Sequence, residues 1–123
     1  MNLRKEIKLK DNEDAVSVEI KSIQNTFGSF VFSFYDKGEF EEIFRGDFGD
    51  KLPDIFTLPY KAKYLKGHAL SMLGNFAPDP AVSNDILFVI NFIQEGEVVD
   101  SVSVNLPNTP AETIEITMKL KHS

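Results

Sequence analysis

The sequence contains no cysteine and no tryptophan among its 123 residues. The lack of cysteine excludes disulfides, metal centres held by thiolates and a cysteine nucleophile. It is also typical of a reducing compartment, so we expect a cytoplasmic location, while a secreted or periplasmic one stays open if a signal has been removed. The lack of tryptophan leaves eleven phenylalanines as the main aromatic residues, and they predict a phenylalanine-rich core.

The sequence is also short of positive charge and of long apolar runs. Its net charge of −6 disfavours nucleic acid, because a sequence-independent nucleic-acid binder needs a basic surface. The longest apolar run, Ile86–Ile93, is interrupted by Asn91 and suits a buried strand. No run is long enough for a membrane span or for a secretory signal. We therefore expect neither nucleic acid nor a membrane span.

The sequence contains none of the short motifs that are typical of common enzyme active sites. There is no glycine-rich phosphate loop, no paired-histidine metal motif and no nucleophile elbow. Of the two histidines, His122 stands beside the last residue, where we expect fraying. His68 and Ser71 would share a face on a helix but point oppositely on a strand. We interpret His68 as a hydrogen-bonded structural residue, and a hydrolase that uses it is the third hypothesis for function.

Alternating apolar and polar residues dominate what is present. A period of two marks a strand with one buried face, and several such runs in so short a chain predict an all-β protein. The clearest runs are Val16–Ile20, Phe30–Phe34, Ile86–Phe92, Val102–Leu106 and Ile114–Leu120. We predict one domain over residues 1–123 with about eight to ten strands, most simply an antiparallel β-sandwich of two sheets, with a partly open barrel as the alternative. The strand and turn spacing resembles immunoglobulin-like or jelly-roll sandwiches, a likeness of fold that implies no function.

Three segments are less regular. Glu39–Arg45 fits a helix as well as a strand, and the turn signal at Asp36–Gly38 favours the strand. For Tyr60–Phe76 we favour two strands broken near Gly67 over a helix. Asp85–Gln94 is apolar on both faces, which predicts a strand in the middle of a covered sheet.

The segment Gly46–Pro59 is the longest loop-like stretch and combines two glycines, two prolines and three aspartates. Loops of this length in compact domains are often functional, and proline and aromatic residues can supply a rigid, desolvated anchor. The other faces of the strands are mostly Ser, Thr, Lys and Glu, so we place the binding site on this segment. Its candidate residues for ligand or partner binding are Asp47, Phe48, Asp50, Phe56 and Tyr60. The competing interpretation is that the aromatic residues close the core and the aspartates form turns.

The aspartates of the same segment also raise a calcium hypothesis. Asp47, Asp50 and Asp54 could supply carboxylate oxygens, joined by Asp79, Asp85 or the turn from Asp11 to Asp14. The spacing matches no EF-hand loop, so we assign no metal and no cofactor.

The function that the sequence favours is therefore non-catalytic. We expect a binding or assembly module that presents loops or a sheet edge to a partner macromolecule, which we expect to be a protein. The alternative is a small-ligand or carbohydrate-binding module that uses the loop aromatics.

Overall fold

The structure, a computed structural model, describes residues 1–48 and 54–123 and is built almost entirely of strands. A single turn of 3₁₀ helix, Ala62–Tyr64, is the only helical element in those ranges. Nine strands are described: β1 (Asn2–Leu9), β2 (Ala15–Ser22), β3 (Phe27–Asp36), β4 (Glu39–Asp47), β5 (Asp54–Lys61), β6 (Ala69–Ala77), β7 (Ile86–Gln94), β8 (Glu97–Leu106) and β9 (Glu112–His122). The predicted all-β fold is confirmed. No helix in the described part is long and apolar enough to cross a membrane.

The strands form two sheets that pack as a β-sandwich. The five-stranded sheet has the order β1-β9-β6-β3-β4, and the four-stranded sheet has the order β5-β2-β7-β8. All neighbouring strands are antiparallel except β1 and β9, which run parallel. The first residue helps to fix this pair, because the Met1 amino group donates to the carbonyl oxygen of Thr113 at 2.9 Å.

Two hairpins are closed by short turns in which the chain adopts positive φ. Lys37 and Gly38 join β3 to β4 with φ of 53° and 85°, and Glu95 and Gly96 join β7 to β8 with φ of 53° and 74°. This left-handed pair matches the twist of the flanking strands, and glycine adopts it without strain. The segment Glu39–Arg45 is therefore a strand rather than a helix, since it follows this turn and pairs with β3.

The core lies between the sheets and is rich in phenylalanine, as predicted. The rings of Phe32, Phe88 and Phe92 are fully buried, and Phe76 stacks on Phe88 with ring centroids 4.3 Å apart. The core also contains a fully buried polar residue, Gln94, at the end of β7.

Gln94 is fully buried and uses both ends of its side-chain amide. Its Oε1 accepts from the Lys10 backbone N–H, and its Nε2 donates to the Lys10 carbonyl and to Asn12. This side chain therefore ties the β1–β2 turn to the end of β7.

The segment expected to be a long loop is mostly strand. β4 continues to Asp47, and β5 begins at Asp54 and runs to Lys61. Gly46 remains paired with Phe30, and a Cβ at Gly46 would lie 2.6 Å from the Asp54 carboxylate. The glycine therefore allows the start of β5 to approach β4 closely, where the sequence was interpreted as a loop.

Three further expectations meet different outcomes. The break near Gly67 is confirmed, since Gly67 has φ of +87° and β6 starts at Ala69. β7 does lie mid-sheet, but no third layer of described residues covers its outer face, where Val89 and Asn91 are screened by neighbouring strands. The expectation of fraying at His122 is wrong: its Nε2 lies 2.9 Å from the Ala62 carbonyl oxygen, and the residue is part of β9.

Candidate interaction face

The residues that the sequence proposed as a site are not brought together. Phe48 is 6% exposed and contacts Phe30, Phe76 and Phe88 in the core. Asp47 ends β4, where it pairs with Ser29. Asp50 lies outside the described residues.

Phe56 and Tyr60 lie further along the same side of the sandwich. Phe56 packs against the core and stacks on Phe44 with ring centroids 4.7 Å apart. Tyr60 packs against Phe34, whereas Phe48 packs against Phe30, four residues earlier on β3. Four residues of strand span about 13 Å, so Phe48 and Tyr60 belong to different levels of the sandwich. This arrangement fits the interpretation that these aromatic residues close the core.

Tyr60 instead belongs to a small polar cluster with His68 and Asp36. The Tyr60 hydroxyl donates to Asp36 at 2.7 Å, and the His68 Nε2 lies 3.7 Å from the other oxygen of that carboxylate. The His68 ring stacks on Phe34 at 5.2 Å. The bond to Asp36 raises the pKa of Tyr60 above its ordinary value, because ionising the hydroxyl would break that bond beside a negative charge.

The cluster brings the Asp36 carboxylate to His68 but does not bring Ser71 to it. Ser71 lies on β6 at an odd position, while the inward residues of that strand are even-numbered, such as Leu70 and Met72. Ser71 therefore faces outward and pairs with Ser33 and Thr117. Asp36 holds Tyr60 and His68 in place and links the ends of β3, β5 and β6.

The aspartates proposed for calcium have other roles where the structure describes them. Asp79 accepts from the Ala81 backbone N–H, and Asp85 accepts from the Asn108 backbone N–H. Among the described residues, no group of three or more acidic or histidine side chains is placed to hold a metal ion.

The outer face of the five-stranded sheet shows a feature that the sequence analysis missed. Two adjacent inner strands of that sheet, β3 and β6, place ten side chains outward, and none of them is charged. We call these residues the uncharged strip: Phe27, Ser29, Val31, Ser33 and Tyr35 on β3, and Ala69, Ser71, Leu73, Asn75 and Ala77 on β6. Phe27 is 54% exposed and Leu73 is 49% exposed, both unusual for large apolar side chains on a sheet.

An aromatic pair stands at one end of the uncharged strip. Tyr35 pairs with Phe40 across the β3–β4 hairpin, with ring centroids 5.2 Å apart. Both rings are exposed and form one wall of an open cleft of about 480 Å³. Ala69 and Thr117 also line this cleft, and the opposite wall carries Arg4 and Lys119.

Two further clefts continue along the same face. Val31 and Leu73 line a cleft of about 600 Å³, and Phe27 and Ala77 line one of about 380 Å³ at the far end. The three clefts together follow the whole length of β3 and β6.

Charged residues are confined to the margins of this face. Outward positions of β1 and β9 carry Arg4, Lys8, Lys119 and Lys121 together with Glu6 and Glu115, while outward positions of β4 carry Glu42, Arg45 and Asp47. The charges lie on both sides of a neutral centre.

One signal in the sequence could have revealed the uncharged strip. The odd positions of Phe27–Tyr35 include Phe27, Val31 and Tyr35, so this strand is apolar on both faces. On β6, however, Leu73 becomes an outward neighbour of Val31 only through the strand register, which the sequence does not give.

Comparisons with known proteins add no assignment to this geometry. No protein-family model matches this sequence, and the comparisons with curated proteins and with solved structures likewise find no match.

Proposed function

We propose that the chain is a non-catalytic binding module that contacts a partner protein through the outer face of its five-stranded sheet. The observation that carries the proposal is the uncharged strip with its charged margins. Protein interfaces have the same anatomy, with a centre depleted of charge, enriched in aromatic residues and surrounded by a polar rim. Tyr35 and Phe40 are suited to be the anchors, because aromatic side chains dominate binding energy at interfaces.

The extent of the face favours a protein over a small ligand. Small-molecule sites are enclosed pockets that bury most of the ligand. Here three open clefts follow one another from Tyr35 to Phe27, along the full length of β3. The sugar-binding alternative needs exposed loop aromatics, whereas Phe48 is buried and Phe56 packs on Phe44.

The surroundings of His68 support a non-catalytic role. Asp36 lies between the histidine and Tyr60, and it accepts a hydrogen bond from the tyrosine hydroxyl. Ser71 points to the other side of the sheet, so it does not complete the serine–histidine–carboxylate arrangement of a serine hydrolase around His68.

Site-specific photo-crosslinking in the native host tests this function, because it traps whichever protein lies on the face. A photoreactive benzophenone amino acid replaces Leu73 at the centre of the uncharged strip. The matched control carries it at Ser103, an exposed outward position on β8 of the opposite sheet. We expect position 73 to give one dominant protein adduct, identified by mass spectrometry, and a second substitution, Phe40→Ser, to abolish it.

Two results would overturn the proposal. One is equal adduct yield from positions 73 and 103, because the face would then be no more engaged than ordinary surface. The other is a position-73 adduct that survives Phe40→Ser unchanged, because the aromatic pair would then contribute nothing to the contact.

A further inference from the structure

We infer that the protein that covers this face is a second copy of the same chain, packed face to face about a two-fold axis parallel to the strands. The inference rests on the proposed function and adds the identity of the partner. It follows from three properties of the face: the placement of charge, the register of the strands and the available area.

The two margins of the face carry opposite charge. At their outward positions, β1 and β9 carry four cations, Arg4, Lys8, Lys119 and Lys121, against Glu6 and Glu115, whereas β4 carries Glu42 and Asp47 against Arg45. β6 lies in the middle of the sheet, with β1 two strands away on one side and β4 two strands away on the other. A two-fold axis along β6 therefore places the basic margin of each copy over the acidic margin of the other. An axis perpendicular to the strands would instead place like charges together.

The strand register makes this match specific. Arg4, Thr117, Ser71, Ser33 and Glu42 lie in one row across all five strands. Rotation about an axis parallel to the strands does not shift a row along the strands, so each row of one copy faces the same row of the other. Arg4 of one copy therefore meets Glu42 of the other, and the contact occurs twice.

The next row places the aromatic pair of each copy opposite β9 and β1 of its partner. It contains Glu6, Lys119, Ala69, Tyr35 and Phe40. β9 and β3 lie at equal distances on opposite sides of β6, so Lys119 of one copy faces Tyr35 of the other. An ammonium over an aromatic ring is a favourable contact. The Tyr35–Phe40 wall of each copy thus lies over the opposite wall of its partner's cleft, which Arg4, Glu6 and Lys119 line.

The cations at this contact are available. Among the described residues, neither Arg4 nor Lys119 has an ion-pair partner within its own chain. Glu42 is held by Arg45 at 2.7 Å, and a carboxylate has the capacity to accept from a second cation as well.

The face is also large enough. Five strands spaced by about 4.8 Å, each with about eight residues of about 3.4 Å, cover a planar area of about 650 Å². Side-chain relief adds to this area, and a stable interface buries about 800 Å² per partner.

Analytical ultracentrifugation of the purified chain is the first test. We expect twice the chain mass of 13.9 kDa at about 0.1 mM, where a dimer with a Kd of about 10 µM is mostly formed. Leu73→Arg is expected to give a monomer, because it brings a cation from each copy into the neutral centre of the interface. The matched control Ser103→Arg, on the other sheet, is expected to remain a dimer.

A charge-swap mixture tests the orientation of the axis. Arg4→Glu places two carboxylates opposite each other in a dimer, and Glu42→Arg places two cations opposite each other. We expect each variant alone to raise the dissociation constant at least about tenfold. In an equimolar mixture, one of the two contacts of the heterodimer pairs the original residues and the other pairs the swapped ones.

Both contacts in this heterodimer are attractive, so the mixture should recover the affinity that each variant alone loses. One contact joins the native Arg4 of one chain to the native Glu42 of the other, and the second joins the two introduced residues, which also have opposite charge. We therefore expect the equimolar mixture to form a heterodimer about as tight as the wild-type dimer. A mixture that stays as weak as its components would overturn the proposed axis.

The outcomes separate this inference from the proposed function. A monomeric wild-type chain, together with a position-73 adduct to a different protein, contradicts the second copy and leaves the binding face standing. A monomer with no adduct contradicts both. A dimer that is indifferent to Leu73→Arg uses another surface, which contradicts the second copy on this face, and the identity of the position-73 adduct then decides the proposed function separately.

Discussion

Tyr35 and Phe40 face each other across the β3–β4 hairpin, with ring centroids 5.2 Å apart, and both stand outside the core. The neighbouring inward residue, Phe34, is buried and packs against Tyr60 and His68. The hairpin thus directs one aromatic side chain into the fold and two away from it. The exposed pair has no role in the core, so its contribution can be separated from stability.

Removing an exposed ring is therefore expected to affect association far more than folding. Phe40 is 53% exposed, so Phe40→Ser should change the free energy of unfolding by less than about 1 kcal/mol. The same change should raise the dissociation constant of the dimer at least about tenfold, because aromatic anchors carry much of the binding energy. Urea unfolding and sedimentation equilibrium measure the two quantities. Parallel losses in both would show that Phe40 acts through the fold.

The buried rings should behave in the opposite way. Phe32 and Phe88 are fully buried in the centre of the sandwich. Phe32→Ala and Phe88→Ala are each expected to lower the free energy of unfolding by about 3–5 kcal/mol. Phe27→Ala, at an exposed position of the uncharged strip, serves as the control and should cost less than about 1 kcal/mol. Chemical denaturation measures these free energies of unfolding. A loss below about 1 kcal/mol for Phe32→Ala would place that ring outside the core.

Gln94 is expected to be required for its hydrogen bonds rather than its volume. Gln94→Met keeps a similar shape but leaves the Lys10 backbone N–H and carbonyl without their partner. Unsatisfied buried groups cost about 1–3 kcal/mol, so the variant should unfold at clearly lower urea concentration. Asn105→Met, at an exposed position on β8, is the control and should be nearly neutral. Equal midpoints for the two variants would mean that water replaces the lost bonds.

The Tyr60–Asp36 hydrogen bond predicts that the free energy of unfolding falls at alkaline pH. The bond to Asp36 raises the pKa of Tyr60 in the folded state above the ordinary value of about 10. The folded state then holds its proton more tightly than the unfolded state. The stabilisation is fully present below about pH 10 and declines as the pH rises through the folded-state pKa.

Comparison of wild type with Tyr60→Phe isolates this effect. Between about pH 8 and about pH 11, the wild-type chain should lose more stability than the variant, because other alkaline effects are shared. Urea unfolding at both pH values gives the difference. The same pH dependence in the two proteins would show that the Tyr60–Asp36 bond does not form in solution.

The sequence predicted the fold well because burial on one face leaves a period of two. Phe30–Phe34 and Ile114–Leu120 became strands with their even-numbered residues inward, as expected. The parallel pairing of β1 with β9 was not foreseen, because alternation gives the face of a strand but not its neighbour. Gly46 and Pro59 were interpreted as loop residues. Gly46 instead lies within a strand beside Asp54, and Pro59 lies on the edge strand β5, where proline is tolerated.

The candidate site was much harder to predict, for a related physical reason. Phe48 and Phe56 were selected because glycine, proline and aspartate around them are typical of loops, but both side chains pack inward. The interaction face depends on Leu73 lying beside Val31 and on Arg4 sharing a row with Glu42. These relationships join residues far apart in sequence. They are set by strand order and register, which single-strand periodicity does not encode.

The central claim is that the outer face of the five-stranded sheet is covered by protein in solution, and solvent paramagnetic relaxation of methyl groups measures this directly. Leu73 is 49% exposed in the single chain, and Val98 on β8 of the other sheet is 56% exposed. With a soluble gadolinium chelate added to the purified chain, we predict that the Leu73 methyls relax much more slowly than those of Val98. Phe40→Ser should restore fast relaxation at Leu73 by releasing the partner. Equally fast relaxation at Leu73 and Val98 in the wild-type chain would contradict the account.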